Sequence, residues 1–129
     1  MIQTVILENH EFFRIGVKTV FKDNTDIRIM GEASSDKGFI RLLDYTRADV
    51  ALMAVNTPYD KWCVDVVYFI RKKHPHLKIL AIANENTERV VQSMIEAGIN
   101  GYIGKRQTNR EELEKAIRTV AAGGEYRMS

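Results

Sequence analysis

Cysteine is almost absent from this chain. Cys63 stands alone, so no internal disulfide can form and no multi-cysteine metal site exists. There are two prolines, and no Pro/Gly/Ser-rich stretch marks a linker or a low-complexity tract. Neither sign of charge dominates: 19 Lys and Arg oppose 17 Asp and Glu, for a net charge of +2. That balance argues against direct binding to nucleic acid or to a membrane surface. No apolar run approaches the ~18 residues of a bilayer-spanning helix. The opening Met1-Ile2-Gln3-Thr4-Val5 lacks a basic region, and Glu8, His10 and Glu11 soon interrupt it, so it does not read as a signal peptide. The cytoplasm is the expected location.

What remains is a chain of 129 residues, 45% hydrophobic and 28% charged, which is the size and composition of one globular domain. Its apolar periodicity alternates between two types. Thr4-Val5-Ile6-Leu7, residues 27–33, residues 50–55, Ile79-Leu80-Ala81-Ile82 and Gly101-Tyr102-Ile103 read as short strands. Between them lie segments of helical spacing. The first carries Phe13, Val17, Val20 and Phe21, and the second carries Phe39, Leu42 and Leu43 behind a Ser34 or Ser35 cap. The third runs from about residue 60 to 73, with Val64, Val67 and Tyr68 on one face, and His74-Pro75 ends it. Val90, Val91, Met94 and Ile95 mark a fourth helix that stops at Gly98. Thr108 and Glu111 have capping-box spacing ahead of a last helix with Leu113, Ile117, Val120 and Ala121.

Five strand–helix units in strict alternation predict an α/β fold, a parallel sheet between two helix layers. Two doubly wound orders fit: the flavodoxin-like 2-1-3-4-5 and a Rossmann half. In either, the functional edge lies at the carboxyl ends of the strands. The residues there are Glu8-Asn9, Ala54, Ala83-Asn84 and Gly104-Lys105.

Those positions, with Val5-Ile6-Leu7-Glu8-Asn9-His10, Gly31-Glu32-Ala33-Ser34, Asp49-Val50-Ala51-Leu52, Ala97-Gly98-Ile99-Asn100-Gly101-Tyr102-Ile103-Gly104-Lys105 and Ala121-Ala122-Gly123-Gly124-Glu125-Tyr126, carry a family likeness. The chain resembles the receiver domain of two-component response regulators of the NarL/FixJ type, found in front of LuxR-type DNA-binding domains. The resemblance covers nearly the whole chain. It implies the (βα)5 flavodoxin-like receiver fold, with five strands in the order 2-1-3-4-5. It also implies a receiver-like domain over residues 1–124, with 125–129 starting a linker to a helix-turn-helix domain absent from this chain.

The family pattern asks for an acidic pair after the first strand to hold Mg²⁺, and here it reads Glu8-Asn9. It asks for an acceptor Asp at the end of the third strand, four residues before Pro58, where Ala54 stands. It asks for Thr or Ser after the fourth strand, where Ala83 stands. The conserved Lys position matches Lys105, and the switch aromatic matches Tyr102. Trp62 falls where a small residue is usual. Phosphoryl transfer needs a carboxylate nucleophile and a metal to neutralise charge. With Ala54, Asn9 and Ala83 the resemblance implies a degenerate, phosphorylation-independent pseudo-receiver. No catalytic residue, cofactor or metal is expected, and the chain is not expected to be an enzyme.

Lys105 has two readings: it pairs with Glu8 across the pocket, or it holds an anion where the phosphoryl group would sit. Cys63 reads as a packed thiol, and His74 and His76 as solvated. Arg71-Lys72-Lys73 reads as cations complementing a helix dipole. The expected function is transcriptional regulation through protein–protein contact. The expected partner is a second copy or another response regulator, with DNA reached only through the absent domain and no membrane partner. The family dimerises through a helix 1/helix 5 face or a helix 4–strand 5–helix 5 face. Trp62, Arg110, Glu114, Lys115 and Arg118 are the candidate interface residues. The alternative is a sensor whose pocket, or a groove beside the fourth helix, binds a small anion or nucleotide. A conventional receiver would need an unexpected acceptor such as Asp60.

Overall fold

All six residues of one strand, Val50–Val55, are buried, and this fixes the layering. A strand apolar on both faces needs a layer of helices above and below it. The computed structural model of the chain describes residues 1–55, 61–84 and 87–128, and of Lys61 and Trp62 only the backbone. In chain order the elements are β1 (Ile2–Leu7), α1 (Glu11–Val20), β2 (Ile27–Ala33), α2 (Asp36–Tyr45), β3 (Val50–Val55) and α3 (Lys61–Lys73). They continue with β4 (Lys78–Ala83), α4 (Glu88–Ala97), β5 (Gly101–Gly104), α5 (Arg110–Ala121) and β6 (Tyr126–Met128). The sheet is parallel throughout, in the order β2-β1-β3-β4-β5-β6.

The pleat sorts the strand side chains into two cores. Val5, Leu7, Ala51, Met53, Val55, Ile79 and Ala81 pack with Phe39 and Leu43 of α2, Cys63, Val67 and Ile70 of α3, and Met94 of α4. Ile6, Val50, Leu52, Leu80, Ile82 and Ile103 pack with Val17 of α1 and Leu113, Ile117 and Val120 of α5. Each fully buried large side chain stabilises by about 1.5–3 kcal/mol relative to exposure. Cys63 is fully buried, a packed thiol.

Four expectations need correction. The sheet has six strands, because residues 126–128, read as the start of a linker, pair with β5. Gly101 permits that approach: a Cβ there would lie 2.6 Å from the Tyr126 backbone oxygen. On α3 the inward face is Cys63, Val66, Val67 and Ile70, while Tyr68 points out at 57% exposure. The α5 cap is Asn109, whose side chain accepts from Glu112 N at 2.9 Å; the Thr108 hydroxyl instead donates to Gly104 O at 2.9 Å. Finally, Arg71 does more than complement a dipole. Its guanidinium donates to the carbonyls of Pro75, Leu77 and Gly98 and to Asn100 Oδ1, at 2.5–3.2 Å. Asn100 Oδ1 also accepts from Ile79 N at 2.8 Å. Arg71 thus fastens α3 to the loops entering β4 and β5, and burial pulls its pKa down. The helix ends at Ser35, which caps α2 by accepting from Gly38 N, and at Gly98, with φ of +118°, lie where the sequence puts them.

Tyr126 ties β6 to α5. Its phenol donates to a Glu112 carboxylate oxygen, and burial together with that carboxylate pushes its pKa from 10.0 to about 12.

Two predictions follow from these fastenings. Arg71→Met should lower stability by about 1–2 kcal/mol in urea denaturation, because part-buried acceptors at Leu77, Gly98 and Asn100 lose a charged donor; Lys72→Met, on the same helix, should change it by less than about 0.5 kcal/mol. For Tyr126 the folded pKa exceeds the unfolded one, so its contribution is complete below pH 10.0 and disappears as pH rises through about 12. The stability difference between the wild type and Tyr126→Phe, measured by denaturation at steps from about pH 9 upward, should therefore shrink across that window.

Candidate functional site

The carboxyl ends of β1, β3, β4 and β5 bring Glu8, Asn9, Ala54, Ala83 and Lys105 to one edge of the sheet. Glu8 leaves β1 with its backbone N still bonded to Ala33 O at 3.1 Å, and its side chain is fully buried. Its Oε1 accepts from His10 N at 2.9 Å, which places a carboxylate at the amino end of α1, where the helix dipole favours it. Its Oε2 stands 3.6 Å from Lys105 Nζ, so the lysine reaches across the tips of β3 and β4. That separation is an ion pair without hydrogen-bond contact.

His10 completes the cluster. Its Nδ1 lies 2.9 Å from Glu8 Oε1 and 3.2 Å from Lys105 Nζ. One ring nitrogen cannot donate to the carboxylate and accept from the ammonium together, so the tautomer decides which contact is a hydrogen bond. Lys105 Nζ also sits 4.6 Å from the centroid of the Phe13 ring, within cation–π range. Arg14 braces the strand tip, donating from Nη1 to Glu8 O at 2.6 Å and from Nε to Glu32 Oε1 at 2.9 Å. Lys18 pairs with the same Glu32, and the two cations hold its pKa below the usual carboxylate range, with the Lys18 hydrogen bond the largest cause.

His10, Phe13 and Arg14 are the residues the sequence reading missed as part of this cluster. Their signal was present: positions 10, 13 and 14 share one helical face three and four residues apart, immediately after Glu8.

Among the described residues near the tips of β3 and β4, Ala54 and Ala83 present only methyl groups between Glu8 and Lys105. Ala54 is 6% exposed and Ala83 8%. Neither methyl can accept a phosphoryl group or bond to one. A Mg²⁺ ion needs several hard oxygen ligands. Here the one carboxylate is engaged with His10 and Lys105, and its neighbours are a neutral amide and a methyl. The described residues at this edge therefore do not fit a magnesium ion. Among the described residues, no group of three His, Cys, Asp or Glu is arranged to hold any metal. Asp60 and the side chain of Trp62 lie outside the described residues.

Beside this edge, α4 and β5 enclose a cavity of about 380 Å³ into which Tyr102, Val91, Ile95, Asn84, Lys105 and Arg106 project. It exists because the strand ends beneath it are small: Ala83 and Gly104 are register partners. Tyr102 is half-buried against the α2–α4 core. On α5, Glu114 and Arg118 are joined at 2.6 Å, and Arg118 also holds Asp26 at 2.9 Å. These two interface candidates are thus paired within the chain, at the corner between α1 and β2. The hydrogen bonds make Glu114 more acidic and Arg118 more basic than usual. Arg110 and Lys115 are exposed on the same helix.

A parallel α/β sheet with its polar cluster at the carboxyl edge defines a doubly wound domain of the flavodoxin-like class. The chain belongs to the response regulator receiver domain family, whose model matches residues 4–118. It is 27% identical over 125 residues to the transcriptional regulatory protein DegU of Brevibacillus brevis, covering 97% of this chain and 52% of that protein. It is also 27% identical over 122 residues to the response regulator protein VraR of Staphylococcus aureus, covering 95% and 57%. The chain spans about half the length of these curated relatives.

Among solved structures, the fold matches the isolated receiver domain of RcsB from Salmonella enterica serovar Typhimurium in the apo form. The TM-score is 0.85 at 16% identity, covering 98% of this chain and 92% of that one. It also matches RcsB solved as two dimers bound to two parallel DNAs, with a TM-score of 0.84 at 20% identity, covering 98% and 63%. Receiver domains of DNA-binding regulators are not enzymes, as the sequence reading expects here. No helix among the described residues is long and apolar enough to cross a membrane.

Removing Lys105 leaves the Glu8 carboxylate buried with less compensation. Lys105→Met should lower stability by about 2 kcal/mol or more, and adding Glu8→Gln should recover a large part of that loss. A double-mutant cycle in urea checks this; a double variant no more stable than Lys105→Met would show that the pair is not coupled.

Proposed function

We propose that this chain is the receiver module of a transcription regulator that signals without phosphorylation, through contact with a second receiver. The observation that carries this reading is Ala54. It occupies the carboxyl end of the central strand, buried, in the position where an acceptor carboxylate would stand. Asn9 and Ala83 support it, since metal ligation and phosphoryl recognition are weakened at the same edge. The Glu8–Lys105 pair supports it further: the lysine's charge is already met by a buried carboxylate.

The role in transcription rests on the named relatives, DegU and VraR, each about twice as long as this chain. DNA contact would belong to a further domain, in keeping with the near-neutral charge here. Dimerisation is favoured by RcsB, solved as dimers on DNA, and by α1, which exposes Phe12 at 88% and Ile15 at 43%. Large apolar side chains left in water are typical of interface cores. The α1/α5 face is therefore the favoured contact, for a second copy or another response regulator, with the paired Glu114 and Arg118 at its charged rim.

The test combines two measurements on one sample. After incubation with acetyl phosphate and Mg²⁺, intact mass should show no phosphoryl adduct, and sedimentation should show the same self-association with and without the reagent. An adduct mapped to any carboxylate, Asp60 included, or a dimer that forms only after treatment, would overturn the proposal.

A further inference from the structure

The cavity between α4 and β5 is apolar on one side and cationic on the other. Its floor is apolar and aromatic: Val91, Ile95 and the half-buried Tyr102. Its rim carries two cations, Lys105 and Arg106, and amides including Asn84 and Gln92. The Asn84 corner is held in place, because the buried Thr87 hydroxyl donates to Asn84 O at 2.6 Å. The volume, about 380 Å³, falls in the range of pockets that enclose a small organic ligand.

From this geometry we infer that the α4/β5 groove is a binding site for a mononucleotide-sized aromatic anion. Each part of such a ligand meets its counterpart. A planar heteroaromatic ring stacks on Tyr102 over the floor of Val91 and Ile95. Carboxamides supply donors and acceptors together, which suits the mixed edge of a base. Arg106, exposed at the rim, offers its planar fork to the phosphate. Lys105, which also faces Glu8 and His10, adds a second cation to the same end of the groove. Glu88 on the same rim opposes part of this charge and disfavours ligands of high negative charge, which points to a monophosphate rather than a polyphosphate. This inference goes beyond the proposed function and stands independently of it. The phosphorylation assay asks about Ala54, on the other side of the strand tips.

The probe is AMP, titrated into the chain by calorimetry and by amide chemical shifts. Adenosine serves as the ring without the anion, and inorganic phosphate as the anion without the ring. AMP should saturate with a Kd below about 1 mM, and adenosine and phosphate should each bind at least tenfold more weakly. Shifts should concentrate at residues 84, 87–95 and 102–107. Arg106→Glu, with its fold checked by circular dichroism, should weaken AMP at least tenfold while leaving adenosine unchanged. Tyr102→Ala should weaken both AMP and adenosine, provided circular dichroism shows it folded. Tyr45→Ala, an exposed aromatic on the far side of the sheet edge, should change neither. No saturable AMP binding up to about 5 mM would overturn the inference. So would binding that survives Arg106→Glu, or phosphate binding as tightly as AMP.

Discussion

The contact between Glu8 and Lys105 is the constraint from which the rest of this sheet edge follows. The two residues leave strands that are not neighbours: β3 and β4 lie between them. Near the tips of both intervening strands stands an alanine, Ala54 on β3 and Ala83 on β4. A carboxylate with a fully buried side chain must be compensated. Compensation arrives from four sides: the amino end of α1, the His10 ring, the lysine, and Arg14 bracing the backbone. In a phosphorylatable edge, cations and carboxylates are arranged to receive an incoming charge. Here the Lys105 ammonium already stands 3.6 Å from a buried carboxylate.

The same logic of internal pairing runs along the other face of the molecule. The α5 helix is anchored at its amino end by Asn109, along its length by Leu113, Ile117 and Val120, and at the corner near β2 by Arg118 to Asp26. Its first turn then reaches β6, through Glu112 and Tyr126. The sixth strand therefore depends on two residues of opposite kind: Gly101, which lets the backbones approach, and Tyr126, which fastens the strand to the helix. A three-residue parallel edge strand is a weak element alone. Its placement is a consequence of α5, not of its own pairing.

The parts of the fold that are legible in the sequence are those set by a short apolar period. Residues 50–55 show their strand limits because the run is wholly apolar and bounded by polar residues, and residues 27–33 because Ile27 and Ile29 alternate with Arg28. Gly98 shows its left-handed cap because few other residues take that conformation at low cost. The misreadings fall where the decision is tertiary. Tyr68 fits a helical face by spacing, yet the α3 stripe is turned by about one residue, so Cys63 and Ile70 face the sheet in its place. Arg71 sits in a run of three cations, and nothing local distinguishes the one that turns inward to four acceptors from the two that do not. Residues 126–128 are too short and too polar to announce a strand; only the bare backbone of Gly101 across the gap makes them one. At the site, the strand-end residues were legible because a parallel sheet forces its functional edge to the carboxyl ends. The contribution of α1 was legible only as a shared face of positions 10, 13 and 14; its use at the site depends on where the Glu8 carboxylate turns after leaving β1.

A receiver that signals without phosphorylation, as proposed for this chain, must still be able to change state if it is to regulate anything. Phosphorylation ordinarily adds about two negative charges at one point and so biases the domain strongly. Moving a two-state population from 1:99 to 99:1 takes about 5.5 kcal/mol of differential interaction, whatever its source. Here that bias has to come from binding, and only through contacts that differ between the states. Two regions have the right anatomy. The exposed apolar ridge of α1 offers area, which a second receiver would bury. The α4/β5 groove offers a half-buried tyrosine whose surroundings are loosely filled, because Ala83 and Gly104 leave space at the strand ends. The groove and the Glu8 cluster share Lys105, so anything that draws the lysine toward the groove weakens its hold on the buried carboxylate. On the proposed reading the shared lysine couples the groove to the tip of β3, with binding rather than phosphate as the input.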